Sequence, residues 1–470
     1  MMVLKFGGTS LATPERIRNA VAIMHQAVTE RGARAMVCSA FAGVTDQLLR
    51  MALLAAEGAA YLAEFENLKT RHLDAVQALI EEPERDLLGK EIAQMLQNLA
   101  QSLSQIATKG ASDKEALDHV MGFGERLSAR IIATYFNSIL PSHYLDAGEV
   151  IRTDTRFGHA RVNFEESDQL IAAHFQNDSR LQVVTGFVAR TADGRPTTLG
   201  RGGSDYTAAI LGAALGCARI EIWTDVNGFM TADPNKVPEA FSPRTLDFDH
   251  ALELAHFGAK VLYPPTLIPA MQRGVAVLIK NCFSPAHPGT LIEKKPQTHH
   301  FAVTGITAID TLIEIQVEAG PHGDPDMFAK LMTDTLATYE PPISLLHQNG
   351  TTCSLFIDQR HPDWTALEVA LMQHLLPSLT GARGWTVTIR ADRSLVAIVG
   401  DGLREPRILF EKMQTALAAE DIDILAWGQC LSERNLCIAV QRQDQQRAQR
   451  RLHQTLLQPC LSTTPGQSQS

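Results

Sequence analysis

The 470-residue chain has no Cys-x-x-Cys pair, no long apolar run and no excess of positive charge, and each absence removes a class of function. Its cysteines, Cys38, Cys217, Cys282, Cys353, Cys430, Cys437 and Cys460, are odd in number and scattered. They imply neither a disulfide framework nor a zinc site, and they suit a reducing compartment such as the cytoplasm. The apolar stretch 208–218 is too short to cross a bilayer, and the opening residues lack the charged and apolar regions of a secretory leader. No membrane partner is expected. Lys and Arg number 42 against 52 Asp and Glu, a net charge of −10 that is the opposite of a nucleic-acid footprint. An anionic substrate would therefore need positive charge gathered locally. The P-loop pattern Gly-x4-Gly-Lys-Ser/Thr is missing, as are the His-Arg-Asp and Asp-Phe-Gly elements of protein kinases.

What is present is an ordinary globular composition, 45% hydrophobic and 20% charged, long enough for roughly three domains. Short β-rich runs at 3–6, 35–40, 181–184, 219–223 and 275–279 alternate with helical spacing or glycine turns, which predicts a layered α/β sheet. The helix from Ile17 is opened by Thr13-Pro14, a cap and a first turn. Between about 46 and 139 the pattern is almost wholly helical, an excursion on the sheet domain. After residue 300 the rhythm changes to two shorter units in the order strand, helix, strand, strand, helix. In the first, strands are expected at 311–317, 343–346 and 354–358, with a helix marked by Phe328, Leu331, Met332 and Leu336. In the second they are expected at 395–399, 422–427 and 436–440, with a helix marked by Leu409, Phe410, Met413 and Leu417 and a charged helix from Gln443. The halves read as a duplicated βαββαβ module. A disordered tail is expected over 459–470.

Lys5-Phe6-Gly7-Gly8-Thr9-Ser10 places a lysine at a strand end and glycines at the turn into a helix, where backbone amides and a point charge suit a phosphate. Taken alone, a tight turn also explains the glycines. A second constellation, Gly200-Arg201-Gly202-Gly203-Ser204-Asp205, sets three glycines around an arginine at a helix start, an anion nest with a cation able to clamp a carboxylate. Asp205 has the plain alternative of a helix cap. Thr224 and Asp225 close another strand, and Lys260 follows Gly258-Ala259. If the strands are parallel, all these groups share the carboxyl rim of one sheet, an arrangement suited to phosphoryl transfer by positioning and charge neutralisation.

At these residues the sequence resembles the aspartate kinases of the amino acid kinase fold family. The match runs through Lys5 to Ser10, Ser39-Ala40-Phe41-Ala42-Gly43-Val44-Thr45, Gly122-Phe123-Gly124-Glu125-Arg126-Leu127-Ser128, the Arg201 nest, Trp223-Thr224-Asp225-Val226 and Phe257 to Pro264, in order and spacing. The resemblance implies a carbamate kinase-like three-layer αβα sandwich over 1–296, followed by two ferredoxin-like ACT modules at 297–390 and 391–458. Gln429-Cys430-Leu431-Ser432-Glu433-Arg434-Asn435 is the clearest ACT match. The kinase part is most similar to the type also found fused to homoserine dehydrogenase, although no such domain is expected here.

The activity so implied is ATP-dependent phosphorylation of the side-chain carboxylate of L-aspartate to 4-phospho-L-aspartate, the first step toward lysine, threonine and methionine. By position, Lys5, Phe6, Gly7 and Gly8 would face the ATP phosphates, with Thr224, Asp225, Met230, Asn235, Lys260 and Val261 on the nucleotide. Ser39, Thr45, Glu125, Arg201, Gly202, Gly203 and Ser204 would hold aspartate. Lys5, Asp205 and Lys260 would carry catalysis, and Mg²⁺ would be held mainly by ATP phosphates, with no protein metal site. Met230 stands where many family members have Tyr, Asn235 with Lys236 where they often have Arg, and Tyr263 where His is common; an altered nucleotide affinity is expected. Gln348 and Gln429 occupy matching places in the two modules and suggest an amino-acid effector, threonine or lysine, with homo-oligomers formed through the ACT modules. The plain alternative is that both glutamines satisfy backbone groups. A kinase for another acidic amino acid and a catalytically silent amino-acid sensor are the competing readings.

Overall fold

Every residue of β1 (Met2–Phe6) is buried in the computed structural model, as expected of a strand covered on both faces. The structure describes residues 1–259, 262–294, 302–319, 343–349, 352–359, 385–404, 407–430 and 432–457. The chain divides into two units. One comprises Met1–Phe229, Ser242–Phe248 and Val261–Pro296, the other Met230–Phe241, Asp249–Lys260 and Gln297–Ser470.

In the first unit the main sheet runs β3 (Ser142–Leu145), β5 (Leu181–Thr185), β2 (Ala33–Cys38), β1, β8 (Arg219–Thr224), β10 (Ala276–Asn281), β11 (Thr290–Glu293), β9 (Thr245–Asp247). From β3 to β10 every neighbour is parallel. A small second sheet joins β4 (Arg152–Thr153), β6 (Val188–Thr191) and β7 (Pro196–Thr198).

Strand alternation explains the layers. Met2, Leu4 and Phe6 share a core with Met36, Cys38, Leu181 and Val183 and with the apolar faces of α1 (Pro14–Arg31), α2 (Val44–Ala56), α3 (Leu62–Leu79), α4 (Glu84–Lys109) and α6 (Phe123–Asn137). Val3, Val37, Val184, Ile220 and Ile222, which alternate with them, are equally buried. On that side Gly212 of α8 (Gly203–Ala214) lies so near the sheet that an added Cβ would come within 2.4 Å of the Ile220 side chain. Helices thus cover both faces, and Lys5 points to the α8 side. Thr13 caps α1 by accepting the Arg16 amide at 3.3 Å. Among the described residues this unit also has α5 (Lys114–Met121), α7 (Phe164–Asn177) and α10 (Ile268–Arg273). The strand expected over 35–40 stops at Cys38, because the Ser39 amide turns to the Phe6 carbonyl and starts a loop.

The second unit contains α9 (Phe248–His256) from Asp249 onward and an antiparallel sheet ordered β13 (Ile343–Asn349), β14 (Thr352–Asp358), β12 (Gly305–Ala319), β15 (Trp385–Val399), β17 (Asn435–Gln441), β16 (Ala426–Gly428). Residues of β12 pair with β15 in two stretches, Gly305 to Ile309 against Val399 to Leu395 and Glu314 to Ala319 against Arg390 to Trp385. The first stretch of β12 therefore pairs with the part of β15 that carries β17 on its other edge, and the second lies between β15 and β14. Both long strands thus run through both halves of this sheet. A core of Ile306, Val396, Ile398, Met413, Leu417, Ile438 and Leu452 seats α11 (Arg407–Ala418) and α12 (Gln445–Leu456).

The strand expected over 422–427 is confined to Ala426–Gly428, since the Ile422 amide still closes α11 on the Leu417 carbonyl and Asp421 has φ +53°. The expected helix at Phe328 to Leu336 and the tail 459–470 lie outside the described residues. Among those described, no helix is long and apolar enough to cross a membrane.

Where the two long strands change partners, β12 is irregular between Ile309 and Glu314. There Glu314 and Arg393, 5% and 8% exposed, form an ion pair at 2.8 Å that also takes the Ser354 hydroxyl at 3.1 Å. Arg393 also meets Asp392 at 2.8 Å and Glu314 also meets Arg390 at 3.4 Å, so removing Glu314 leaves the buried guanidinium one counter-charge, and Glu314→Ala is expected to cost about 1–3 kcal/mol. Denaturant unfolding checks this; a cost below about 1 kcal/mol would show that the pair does not hold the crossing.

Candidate active site

Because the strands are parallel, their carboxyl ends meet on one rim. The chain leaves it in three adjacent loops, with the Gly7 amide on the Trp223 carbonyl, Ser39 on Phe6 and Gly186 on Cys38. Around this rim lies a cavity of about 590 Å³ lined by Lys5, Gly8, Ser39, Thr45, Glu125, Arg201 to Asp205 and others.

At its floor Lys5 Nζ meets Asp205 Oδ1 at 2.5 Å, with both side chains about nine-tenths buried. Asp205 is not the helix cap: that position belongs to Gly202, with φ +70°, and the aspartate sits in the first turn of α8, turned toward the lysine. The nest needs its glycines. At Gly202 a Cβ would approach Tyr263 to 2.8 Å, and at Gly203 it would strike the Phe187 ring at 2.6 Å. Arg201 is exposed at the cavity wall, and Ser204 is buried beside Gly186. The turn after β1 is a four-residue 3-10 helix, Gly8–Leu11, and α1 begins only after it. A Cβ on Gly8 would stand 2.9 Å from the Ala40 carbonyl, so glycine lets the first two loops touch.

Glu125, in the first turn of α6, is 4% exposed, takes a hydrogen bond from the Ala40 amide and leaves Oε2 buried with no partner. A buried carboxylate oxygen without a donor is costly unless a ligand supplies one. The rest of the Gly122–Ser128 motif serves the loop beside it: Ser128 donates to the Ser39 carbonyl at 2.7 Å, and Gly124 lets α6 approach Ala40.

Three lining or bracing residues were not singled out by the sequence. Arg71 of α3 donates to the Ala42 and Ala12 carbonyls at 2.7 and 3.1 Å and lies over the Phe41 ring, tying the first loop to the second. Phe187 and His159 line the cavity, Phe187 with a left-handed backbone, φ +65°. Arg71 lies in an ordinary amphipathic helix, and nothing in the sequence marks a positive φ at a phenylalanine.

The nucleotide set is assembled less completely. Phe6 is fully buried in β1, and Gly7 stands beside Lys5 Nζ. Thr224 ends β8 on the same rim and contacts Asp225 at 3.3 Å. Met230 and Asn235 belong to the second unit, where the Asn235 amide donates to Asp233. Lys260 and Val261 lie outside the described residues. Of the effector pair, Gln429 donates to the Leu403 and Glu433 carbonyls, each at 3.2 Å, so its amide satisfies backbone groups. Gln348 lies in β13 opposite Cys353, and its side chain is outside the described residues.

A model of the amino acid kinase family matches residues 1–281. The chain belongs to the amino acid kinase family. A model of the ACT domain matches residues 396–456, beyond the kinase segment. Relatives with this kinase domain include a chloroplastic bifunctional aspartokinase/homoserine dehydrogenase of Arabidopsis thaliana, 30% identical over 96% of this chain and 50% of the relative. The lysine-sensitive aspartokinase 3 of Escherichia coli is 29% identical over 97% of this chain and 99% of its own. The chain thus spans about half the length of the bifunctional relatives and nearly all of the E. coli protein. Among solved structures, E. coli aspartokinase III with aspartate and ADP matches with a TM-score of 0.83 at 27% identity, covering 97% of this chain and 100% of that one. The same enzyme with lysine and aspartate matches with a TM-score of 0.76 at 26% identity, with the same coverage.

For this amino acid kinase the buried Glu125 has a pH signature. Burial pushes its carboxyl up to about 8, against the opposing pull of the Ala40 amide, Arg126 and Lys5. A folded-state value above the ordinary 4.5 means its contribution to stability is full below 4.5 and is lost as pH rises through 8. An ammonium ligand on Oε2 favours the carboxylate instead and should release about one proton on binding at neutral pH. Calorimetry in buffers of different ionisation enthalpy reads this release, and Glu125→Gln should abolish it; an unchanged release would place the proton elsewhere.

Proposed function

We propose that the chain is an ATP-dependent L-aspartate kinase. The observation that carries this reading is the cavity itself: the Lys5–Asp205 pair at the floor, an unpartnered Glu125 oxygen and Arg201 at the wall. An α-amino acid needs a carboxylate for its ammonium and a cation for its α-carboxylate, and these two groups supply them. The full-length similarity to E. coli aspartokinase III bound to aspartate and ADP supports the same assignment.

The side-chain carboxylate of aspartate attacks the γ-phosphorus of ATP. An O–P bond forms to give 4-phospho-L-aspartate, and the bond to the β-phosphate oxygen breaks to release ADP. The attacking carboxylate is already ionised at neutral pH, so no general base is needed. Lys5 neutralises charge on the transferred group, and Asp205 holds the ammonium in place. Ser39, Thr45, Gly202, Gly203 and Ser204 complete the aspartate wall, Gly8 lets the chain approach the phosphates, and Thr224 and Asp225 flank the nucleotide. Met230, Asn235, Lys260 and Val261 complete the nucleotide set by resemblance. Among the cavity's acidic groups, Asp205 is paired with Lys5, Glu125 is buried and Asp46 stands exposed at the wall; among the described residues they form no three-ligand cluster, so the donor set fits Mg²⁺ carried by ATP phosphates rather than a protein cage. The ACT modules are read as effector-binding and oligomer-forming, with lysine or threonine as effector through the region of Gln348 and Gln429. A cytoplasmic first step of lysine, threonine and methionine synthesis is the setting that follows.

Trapping the acyl phosphate with hydroxylamine tests the reaction. Hydroxamate is expected with ATP, Mg²⁺ and aspartate; product with glutamate alone would change the substrate, and none with either would leave a sensor. Arg201→Ala should raise KM for aspartate at least tenfold more than KM for ATP. Lys5→Met should lower kcat by roughly 10²–10³-fold. Equal effects of Arg201→Ala on both KM values would refute its role.

A further inference from the structure

Two parts of the cavity wall come from loops far apart in sequence, the turn at Gly158-His159 and the nest at Thr198 to Arg201. Neither is held to the other by the sheet that carries the floor. Between them stands Asp118 of α5, 1% exposed. Its Oδ2 accepts the Gly158 amide at 2.9 Å and the Thr198 amide at 3.0 Å, and its Oδ1 meets the Thr198 hydroxyl at 2.6 Å. The Ala160 amide adds a bond to the Thr198 carbonyl, and the His159 ring packs where a Cβ on Gly200 would be, 2.6 Å from its Nδ1. The Asp118 carboxylate touches no part of the cavity lining that reacts. It serves two cavity loops at once, and α5 passes through Gly122 directly into α6, which carries Glu125.

We propose that Asp118 is a positioning residue for the carboxylate clamp: it ties the Gly158 turn and the Thr198–Arg201 nest into one wall and so sets where Arg201 meets the amino-acid substrate relative to Glu125. The three donors explain why an acid is tolerated at a position with almost no solvent. They also explain why Asn can stand in. Its carbonyl oxygen can accept both amides, and its NH₂ can donate to the Thr198 hydroxyl, which accepts as readily as it donates. Ala keeps none of the three bonds.

The inference rests on the kinase reading for its kinetic arm, so a second arm is independent of substrate. Asp118→Ala, Asp118→Asn and Thr198→Val are compared with the unaltered chain in the hydroxamate assay, varying the amino acid and ATP separately. Asp118→Ala should raise KM for the amino acid about tenfold or more while KM for ATP stays within about twofold, because a displaced clamp misplaces one substrate only. Asp118→Asn should recover most of that loss, and Thr198→Val, which keeps both amide bonds, should fall between. Without substrates, trypsin should cut after Arg156 or Arg161 faster in Asp118→Ala than in Asp118→Asn, since the Gly158 turn between them has lost its anchor. Asn as damaging as Ala, equal rises in both KM values, or unchanged cleavage would each overturn the proposal. If Asp118→Ala does not fold, Thr198→Val with no rise in KM for the amino acid overturns it. An unaltered chain inactive on any acidic amino acid, with the cleavage order as expected, would refute the kinase reading and leave the anchoring role standing.

Discussion

The first unit is organised around a lysine that its own strand buries. Lys5 lies in the central strand between Leu4 and Phe6, which are fully buried, and it is 8% exposed itself. A cation in that position is tolerable only with a counter-charge, and Asp205 supplies it from the opposite layer. That requirement fixes much else. Helix α8 must begin at the sheet rim, which demands the left-handed Gly202; it must lie close to the strands, which demands Gly212 against Ile220. The anion nest is then a by-product of where the helix has to start. Chemistry and packing share the same constraint, and that is why the motifs cluster at strand ends rather than in the strands.

Much of this was legible in the sequence because glycine and charge are rarely placed together without cause. The runs at Lys5 to Ser10 and Gly200 to Asp205 announce a turn and a charged group at once, and the structure brings both to one cavity. Glu125 was legible by resemblance only; the Ala40 amide and the Lys5 charge that act on its buried carboxyl come from segments distant in sequence. Arg71 and Asp118 were not legible. Each is an ordinary helical residue by pattern, and its importance lies in which carbonyls or amides from other segments reach it. Long-range hydrogen bonds of this kind leave no periodicity behind.

The second unit shows a different limit. Its strand-helix rhythm announced strands and helices in alternation, and the antiparallel sheet contains those strands, yet the rhythm could not say which of them share a ladder. In the structure β12 and β15 each pass from one half of the sheet to the other. Pattern gives period, and period is the same on either side of that crossing. The irregular register at Ile309 to Glu314 and the buried Glu314–Arg393 pair mark the place. Segments from within the kinase match also belong to this unit: Glu253 of α9 takes the Ser432 hydroxyl and the Asn435 amide, the latter at 3.1 Å. A boundary drawn along the sequence therefore cannot be a boundary in space.

The acidity of the chain makes sense at the level of single groups. In the cavity Lys5 and Asp205 cancel, and burial pushes the Glu125 carboxyl up to about 8, which favours its neutral form at pH 7. Arg201 then brings a cation to a wall that also carries the exposed Asp46, so positive charge is placed at one point of the site although the chain carries −10 overall. On the proposed aspartate kinase reading, the ammonium of the substrate would meet Glu125 and favour its carboxylate, so that the ligand itself would adjust the local charge. An acid without an ammonium would be attracted equally but would leave Glu125 protonated and Oε2 without a donor. On that reading, discrimination between an amino acid and a plain dicarboxylate would fall on a buried group whose ionisation must be induced, where an unsatisfied oxygen costs about 1–3 kcal/mol.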